Sequence, residues 1–168
     1  MLLQKQKTYK KVYDAACERL LGSDIERQLK NAALQYEAGG GAFTVAIPFF
    51  DEAISLDLPK LVFKSAQGNN ITLVTKIIIL HYINTANGRL PGGGIVAYED
   101  IPGCRHYRPV FEKRVAKPLQ SAFARDRYAF LEAGMAMGGK KEEYGDASIT
   151  LCALPRAPIT FILWEGDE

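Results

Sequence analysis

The sequence predicts an α+β protein in which helices pack against an antiparallel sheet built from two β-hairpins. Short segments with apolar–polar alternation occur as two pairs, one in the first third of the chain and one at its end. The intervening segments have helical periodicity, and the regular β-α-β order of a parallel sheet is absent. With 168 residues, 48% of them hydrophobic and 24% charged, we expect a single domain over residues 1–168.

Two helices are expected to open the chain. The apolar residues of the first helix fall on one face, and Gly22 ends it. That face is formed by Tyr9, Val12, Tyr13, Ala16 and Leu20. Ser23 and Glu26 have the spacing of a capping box, in which each side chain satisfies a free backbone N–H at a helix start. A second helix is therefore predicted to run to about Tyr36.

The first hairpin is predicted from two alternating segments. Residues 43–47 follow three consecutive glycines and alternate large apolar side chains with smaller or polar ones, until Pro48 removes a hydrogen-bond donor. Residues 54–58 alternate in the same way, and residues 49–52 can turn the chain between the two segments. We therefore expect the segments to pair as antiparallel strands.

A third helix is predicted over residues 71–86, where apolar residues cover most of the circumference and favour a central position. Within it, His81 is expected to be a core histidine with a structural hydrogen bond rather than a general base. The following run Gly92–Gly94 lacks the Gly-Lys-Ser/Thr ending of a phosphate loop and does not link a strand to a helix. We interpret it as a flexible turn.

Two further helices and a second hairpin complete the predicted order. Helix formers predominate over residues 105–138, with Pro118 starting a new helix or a kink. Residues 149–153 and 159–163 then alternate as strands do, and residues 155–158 turn the chain between them.

Composition excludes several classes of protein. The formal net charge of +2, from 21 basic and 19 acidic residues, provides no field that would attract nucleic acid or an anionic membrane. The longest strongly apolar stretch, residues 77–83, is far shorter than the roughly 20 residues that cross a bilayer, and no signal-peptide core is present. Cys17, Cys104 and Cys152 are odd in number and far apart, which argues against disulfides or structural zinc. We expect a cytoplasmic protein without nucleic-acid or membrane partners.

The most chemically dense segment is Pro102–Arg108, which precedes a predicted helix. Helix N-termini favour anions, and arginines can clamp a carboxylate or phosphate through paired hydrogen bonds. We therefore predict a site for a small anionic ligand. Its candidate residues are Cys104, Arg105, His106, Tyr107, Arg108 and Arg114. On a continuous helix, Arg114 would lie about two and a half turns beyond Arg105 and on a different face.

The same segment also has an interpretation without a ligand. Arg105 and Arg108 would then be solvated, Tyr107 would pack its ring, and the thiol would be a small hydrophobic group near a helix cap. Cys104 and His106 could begin a metal site, but no second close pair in the sequence completes it. No metal site is therefore predicted, and no cofactor is identified.

Four carboxylates near the ends of the last two strands form a second group of candidates. They are Asp146, Glu165, Asp167 and Glu168. A folded hairpin could bring them together or leave them at opposite ends. Acid–base chemistry needs two carboxylates at a defined separation in different environments, whereas hydrophilic strand ends are common without a function. We interpret these residues as solvated strand ends.

An ordered set of short segments resembles a known family. The set comprises Leu80–Ile83, Glu99–Gly103, Tyr107, Phe111, Arg114, Gly145-Asp146, Leu154–Arg156 and Trp164–Glu168. Over roughly residues 70–168 it resembles an uncharacterised bacterial and archaeal family known only as a domain of unknown function. The resemblance implies occurrence mainly in anaerobes, where some members are fused to a four-cysteine iron–sulfur module or encoded near corrinoid-dependent methyl-transfer proteins. It also leads us to expect members that continue beyond Glu168, so that this chain is a shortened form.

The resemblance supplies no catalytic residue. Because this chain lacks the four-cysteine module, any iron–sulfur or corrinoid group would belong to a partner protein. Our first hypothesis is a non-catalytic ligand-binding or accessory domain for a small anionic ligand in anaerobic one-carbon or redox metabolism. The alternatives are an enzyme that uses Cys104 or His106, and a protein–protein adaptor or homo-oligomeric interaction domain.

Overall fold

The computed structural model describes residues 2–92 and 94–165, with side chains from residue 6 onward. Gly93 of the glycine-rich turn and the candidate carboxylates Asp167 and Glu168 therefore lie outside the described residues. The chain divides into two compact units. The first comprises residues up to Pro91 together with Ala153–Ala157, and the second runs from Gly92 to Cys152 and resumes at Pro158. Each unit is described by itself.

The first unit contains helices α1 to α3 and a four-stranded antiparallel sheet. The helices are α1 (Leu2–Leu21), α2 (Ile25–Asn31) and α3 (Leu73–Thr85), and the strands are β1 (Gln35–Gly39), β2 (Ala42–Phe49), β3 (Glu52–Leu58) and β4 (Val62–Ser65). The strands follow one another in the sheet in chain order. Alternation buries one face of the central pair, where Val45 lies opposite Leu56 and Ile47 opposite Ile54. The predicted first hairpin is confirmed as β2–β3.

The predicted extent of the second helix is wrong. α2 ends at Asn31, and Tyr36 lies in β1 opposite Val45. Ala33 adopts a left-handed conformation with φ of 53°, and the Leu34 N–H donates to the Leu29 carbonyl, which closes the helix. The next residues then pair with β2 instead of continuing the helical turn.

The predicted capping box is also wrong by one residue. Asp24 is the N-cap of α2, and its carboxylate accepts the Arg27 N–H at 3.0 Å. The Ser23 hydroxyl instead donates to the Leu20 carbonyl at the end of α1. Glu26 forms an ion pair with Lys30 at 2.7 Å.

The core of the first unit lies between its helices and the sheet. Leu20 of α1, Leu29 of α2 and Ile79 of α3 are fully buried together with the inner face of the sheet. Within α3, Ile79 and Ile83 lie on the buried stripe, whereas His81 points away and is exposed. The expectation of a core histidine is therefore wrong, because α3 buries one side and not its whole circumference.

The second unit begins with two short 3₁₀ helices, and the second of them leads directly into a continuous series of helical segments. The turns are 3₁₀ helices at Tyr98–Asp100 and Arg105–Tyr107, then α4 (Arg108–Phe111), a π-helical turn at Glu112–Ala116, and α5 (Lys117–Phe123). In the π turn the Lys117 N–H donates to the Glu112 carbonyl. Pro118 comes directly after Lys117 and has no backbone N–H to donate. The π-helical turn therefore lies next to Pro118, where the sequence predicts a new helix or a kink.

Helix α6 and a three-stranded antiparallel sheet complete the second unit. They are α6 (Arg127–Ala136), β5 (Lys140–Glu142), β6 (Ala147–Leu154) and β7 (Ala157–Leu163), with β6 in the centre. Phe130 of α6 and Ile149 of β6 belong to the buried cluster of this unit. The predicted second hairpin is confirmed as β6–β7, and it forms a sheet separate from that of the first hairpin. The α+β class is thereby confirmed.

Candidate functional site

The predicted anion site begins at a tight turn in the second unit. Gly103 has φ of +85°, and the Cys104 N–H donates to the Ile101 carbonyl at 2.9 Å. Tyr107 then donates its N–H to the Cys104 carbonyl at 2.8 Å, which forms the 3₁₀ turn of Arg105–Tyr107. The segment therefore enters the helical run through a 3₁₀ turn, and the Cys104 side chain caps no backbone N–H.

Arg108 is neutralised by two carboxylates of its own unit. Its Nη1 lies 2.8 Å from Oε2 of Glu99, and its Nε lies 2.9 Å from Oε1 of Glu112. The hydrogen bond that Arg108 donates to Glu112, together with the charge of Glu99, raises the pKa of Arg108 above its ordinary value. Because two carboxylates already bond the guanidinium, Arg108 joins the Tyr98–Asp100 turn to α4, and a ligand would have to displace these partners.

Cys104 takes part in the packing of the same turn. Its half-buried side chain lies beside Tyr98, whose ring stacks on Phe111 with centroids 3.9 Å apart and planes inclined by 11°. Partial burial raises the pKa of Tyr98, and the neighbouring thiol adds to this shift. The thiol is therefore part of a small packed cluster.

The remaining candidates form an exposed basic surface. Arg105, His106 and Tyr107 share one 3₁₀ turn, and all three are exposed. Arg114 is exposed in the π turn nine residues after Arg105. Neither arginine nor His106 forms an ion pair with any residue that the structure describes. We therefore treat the 3₁₀ turn as the core of the site and Arg114 as a separate cation further along the helical run.

Sequence reasoning missed the residues that organise this turn. Glu112 follows Arg108 by four residues, a spacing at which opposite charges meet on a helix, so its role could have been predicted. Glu99 and the stacking of Tyr98 on Phe111 have no comparable signal, because the intervening turns determine those contacts. The missed residues explain why Arg108, the last residue of the segment, is already paired with carboxylates.

The candidate carboxylates of the last hairpin hold the chain that follows β7. Oδ2 of Asp146 accepts the Glu165 N–H at 2.7 Å, and the Asp146 N–H donates to the Leu163 carbonyl at 3.0 Å. Arg127 approaches Glu165 with 3.9 Å between Nη1 and Oε2. Asp146 therefore fixes the backbone on both sides of Trp164.

A shallow groove of about 500 Å³ lies on the outer face of the first unit's sheet. Its lining is dominated by small or uncharged side chains, including Ala33, Gln35, Ala46, Pro48, Ala53 and Ala66. The groove is formed because the outward positions of β2 and β3 are small. It offers no charged group to a ligand.

Within residues 2–92 and 94–165, no three histidine, cysteine or acidic side chains come together in an arrangement that could hold a metal ion. In the same ranges, no helix is both long and apolar enough to cross a membrane.

Comparison with known proteins identifies the family. A family model described as a domain of unknown function, DUF3786, matches residues 24–168. The chain belongs to this family. No curated protein and no solved structure matches it. The DUF3786 match extends further towards the N-terminus than the resemblance over residues 70–168, since it includes α2 and the whole four-stranded sheet. The 3₁₀ turn of Arg105–Tyr107 and Trp164 lie within the matched part, whereas α1 lies outside it.

Proposed function

We propose that this DUF3786 chain is a non-catalytic accessory domain that binds a small anionic ligand at the 3₁₀ turn of Arg105, His106 and Tyr107. The observation that carries the proposal is the difference between two neighbouring arginines. Arg108 is bonded to two carboxylates, whereas the Arg105 guanidinium is exposed and has no ion-pair partner among the described residues. Arg105 therefore retains its hydrogen-bonding capacity for a ligand.

The exposure of the turn favours binding over catalysis. Strong electrostatic catalysis depends on groups held in a site from which water is excluded. Arg105 and His106 are exposed, and Tyr107 presents 51% of its surface, so they suit recognition of an anion that itself remains partly solvated. Phosphate and carboxylate groups match the planar donor pattern of a guanidinium.

The cellular setting of this proposal comes from the family resemblance. We propose a cytoplasmic role in anaerobic one-carbon or redox metabolism, beside a partner protein that carries an iron–sulfur or corrinoid group. The free state of Cys17, Cys104 and Cys152 supports a reducing compartment.

Calorimetric titration of the full chain with inorganic phosphate, ATP and acetate tests the proposal. We expect at least one of these probes to bind, more weakly as salt is added, because the contact is electrostatic. Arg105→Ala should raise its Kd about 10- to 100-fold, the range expected for a lost charge-assisted hydrogen bond.

Arg125→Ala is the matched control, because Arg125 is also an exposed, unpaired arginine of the second unit. It should leave the Kd within about twofold of the original value. Absence of binding by all three probes, or an equal loss with both substitutions, would contradict the proposal.

A further inference from the structure

Positive charge in the second unit is concentrated in its helical run, residues 105–125. This stretch contains six arginines and lysines but one acidic residue, Glu112, which gives it a net charge of +5. The rest of the unit contains three basic and ten acidic residues, a net charge of −7. The small overall charge of the chain therefore conceals a strong local separation of charge.

Three cations of this stretch, Lys113, Arg114 and Lys117, form what we call the basic face. All three side chains are exposed, and none forms an ion pair with any residue that the structure describes. No acidic residue lies three or four positions before or after any of them. In other helical segments, carboxylates four positions away neutralise three cations: Lys10, Lys30 and Arg108. The basic face lacks this local neutralisation.

The charges of the basic face oppose the helix that carries them. Lys113 and Lys117 are four positions apart, a spacing at which like charges repel across one helical turn. Lys113 and Arg114 also lie in the π-helical turn Glu112–Ala116, a rare geometry that is frequent at functional sites. Because no described carboxylate offsets this repulsion, a partner that supplies carboxylates stabilises the face.

The basic face lies on the outer side of the helical run. Apolar side chains recur at every fourth position of the run and are half-buried: Phe111, Val115, Leu119 and Phe123. Lys113 and Lys117 lie midway between these positions, about half a helical turn away. The cations therefore point away from the apolar row.

The uncharged side chains of the run narrow the class of partner. Over residues 108–127, all of which the structure describes, no large apolar or aromatic side chain is exposed. A helix that lies on a membrane inserts apolar side chains into the lipid, and single-stranded nucleic acid stacks its bases on exposed aromatic rings. The basic face provides neither kind of contact.

We propose that the basic face docks an acidic protein whose surface presents several neighbouring carboxylates. Three cations within five residues complement a bounded cluster of aspartate and glutamate side chains. An extended chain of phosphates would also meet the net charge of −7 in the rest of the unit, which repels it. Docking at this face is steered by charge and weakened by salt. It does not depend on anion binding at Arg105.

Binding of a labelled poly-L-glutamate of about 20 residues to the full chain, followed by fluorescence anisotropy, tests the proposal. We expect binding that weakens as salt is added. Lys113→Glu should raise the Kd about 10-fold or more, because it removes a cation and adds a repulsive charge. The same substitution places a carboxylate four positions before Lys117, so the thermal midpoint should stay unchanged or rise. Unfolding is then excluded as the cause of lost binding.

Lys7→Glu is the matched control. Lys7 and Lys11 of α1 are also exposed, four positions apart and without an ion-pair partner among the described residues. The substitution changes the net charge of the chain by the same amount, and it should leave the Kd for polyglutamate within about twofold of the original value.

Three results would overturn the proposal. They are absence of polyglutamate binding, an equal loss with Lys7→Glu and Lys113→Glu, and tighter binding of polyuridylate of equal charge or of phosphatidylserine vesicles. Arg105→Ala should raise the Kd for polyglutamate less than about threefold, and Lys113→Glu should leave the binding of phosphate, ATP or acetate within about twofold. Failure of the anion site is therefore distinguishable from failure of the docking face.

Discussion

At the scale of single residues, two arginines that look equivalent in the sequence have different partners in the second unit. Arg105 and Arg108 are three positions apart, but only Arg108 has carboxylates on two sides. A guanidinium with two such partners would have to exchange them for a ligand, which offsets part of the gain from binding. Of the six residues predicted from the sequence, we therefore centre the proposed site on Arg105, His106 and Tyr107.

Tyr82 carries a structural role that a single substitution can measure. Its hydroxyl donates to the Ala32 carbonyl at 2.6 Å and accepts the Arg156 N–H at 3.1 Å. Partial burial raises the pKa of this hydroxyl, which therefore stays protonated as a donor. Tyr82→Phe leaves both backbone groups without this partner, and we expect a loss of about 1–3 kcal/mol in the free energy of unfolding.

Urea denaturation followed by circular dichroism measures this loss. Tyr9→Phe is the control, since Tyr9 is an exposed tyrosine of α1 and its hydroxyl makes no hydrogen bond to a described residue. Its substitution should change the free energy of unfolding by less than about 0.5 kcal/mol. Equal effects of the two substitutions would show that the Tyr82 hydroxyl does not stabilise the fold.

At the scale of elements, alternation predicted the strands whose two faces differ in burial. β2 and β3 repeat large apolar residues at every second position, and β6 does the same, so both hairpins could be predicted. β4 and β5 have only four and three residues, too few for a period to be recognised. β1 was missed because Gln35–Ala38 can also continue a helix, and only its pairing with β2 makes it a strand.

Gly145 links β6 to the chain that follows β7, and its substitution should be costly for two reasons. Its φ is +57°, and an added Cβ would lie 2.7 Å from Cγ2 of Ile162 and 2.8 Å from the Leu163 carbonyl oxygen. Gly145→Ala combines backbone strain of about 1–2 kcal/mol with overpacking of about 1–3 kcal/mol. We expect a total loss near 3 kcal/mol and a changed Trp164 emission spectrum.

Gly103→Ala isolates the backbone contribution. Gly103 has φ of +85°, but an added Cβ would meet no atom within 4 Å. Its substitution should therefore cost only about 1–2 kcal/mol and leave Trp164 emission unchanged. If thermal denaturation shows equal losses at both glycines, the close approach of Ile162 and Trp164 to Gly145 does not limit stability.

At the scale of the whole molecule, the residues that match the family model and the residues that form the core begin at different positions in the chain. The DUF3786 match begins at residue 24, yet Ala16, Cys17 and Leu20 of α1 are buried in the core of the first unit. The Asn84 amide also donates to the Ala16 carbonyl at 2.9 Å. In this chain, α1 is therefore an integral part of the first unit, although it lies outside the matched residues.

A core substitution in α1 tests the prediction of a single domain over residues 1–168. Leu20 is fully buried, and Leu20→Ala should cost about 3–5 kcal/mol through the lost apolar contacts and the cavity that remains.

Far-ultraviolet circular dichroism reports on helices of both units, whereas Trp164 fluorescence reports on the second unit alone. β6 and β7 each contribute residues to both units, so we expect the two to unfold together. Leu20→Ala should then lower the urea midpoints of both signals equally. A Trp164 transition that stays at its original midpoint while the dichroism transition moves would show two independently folding domains.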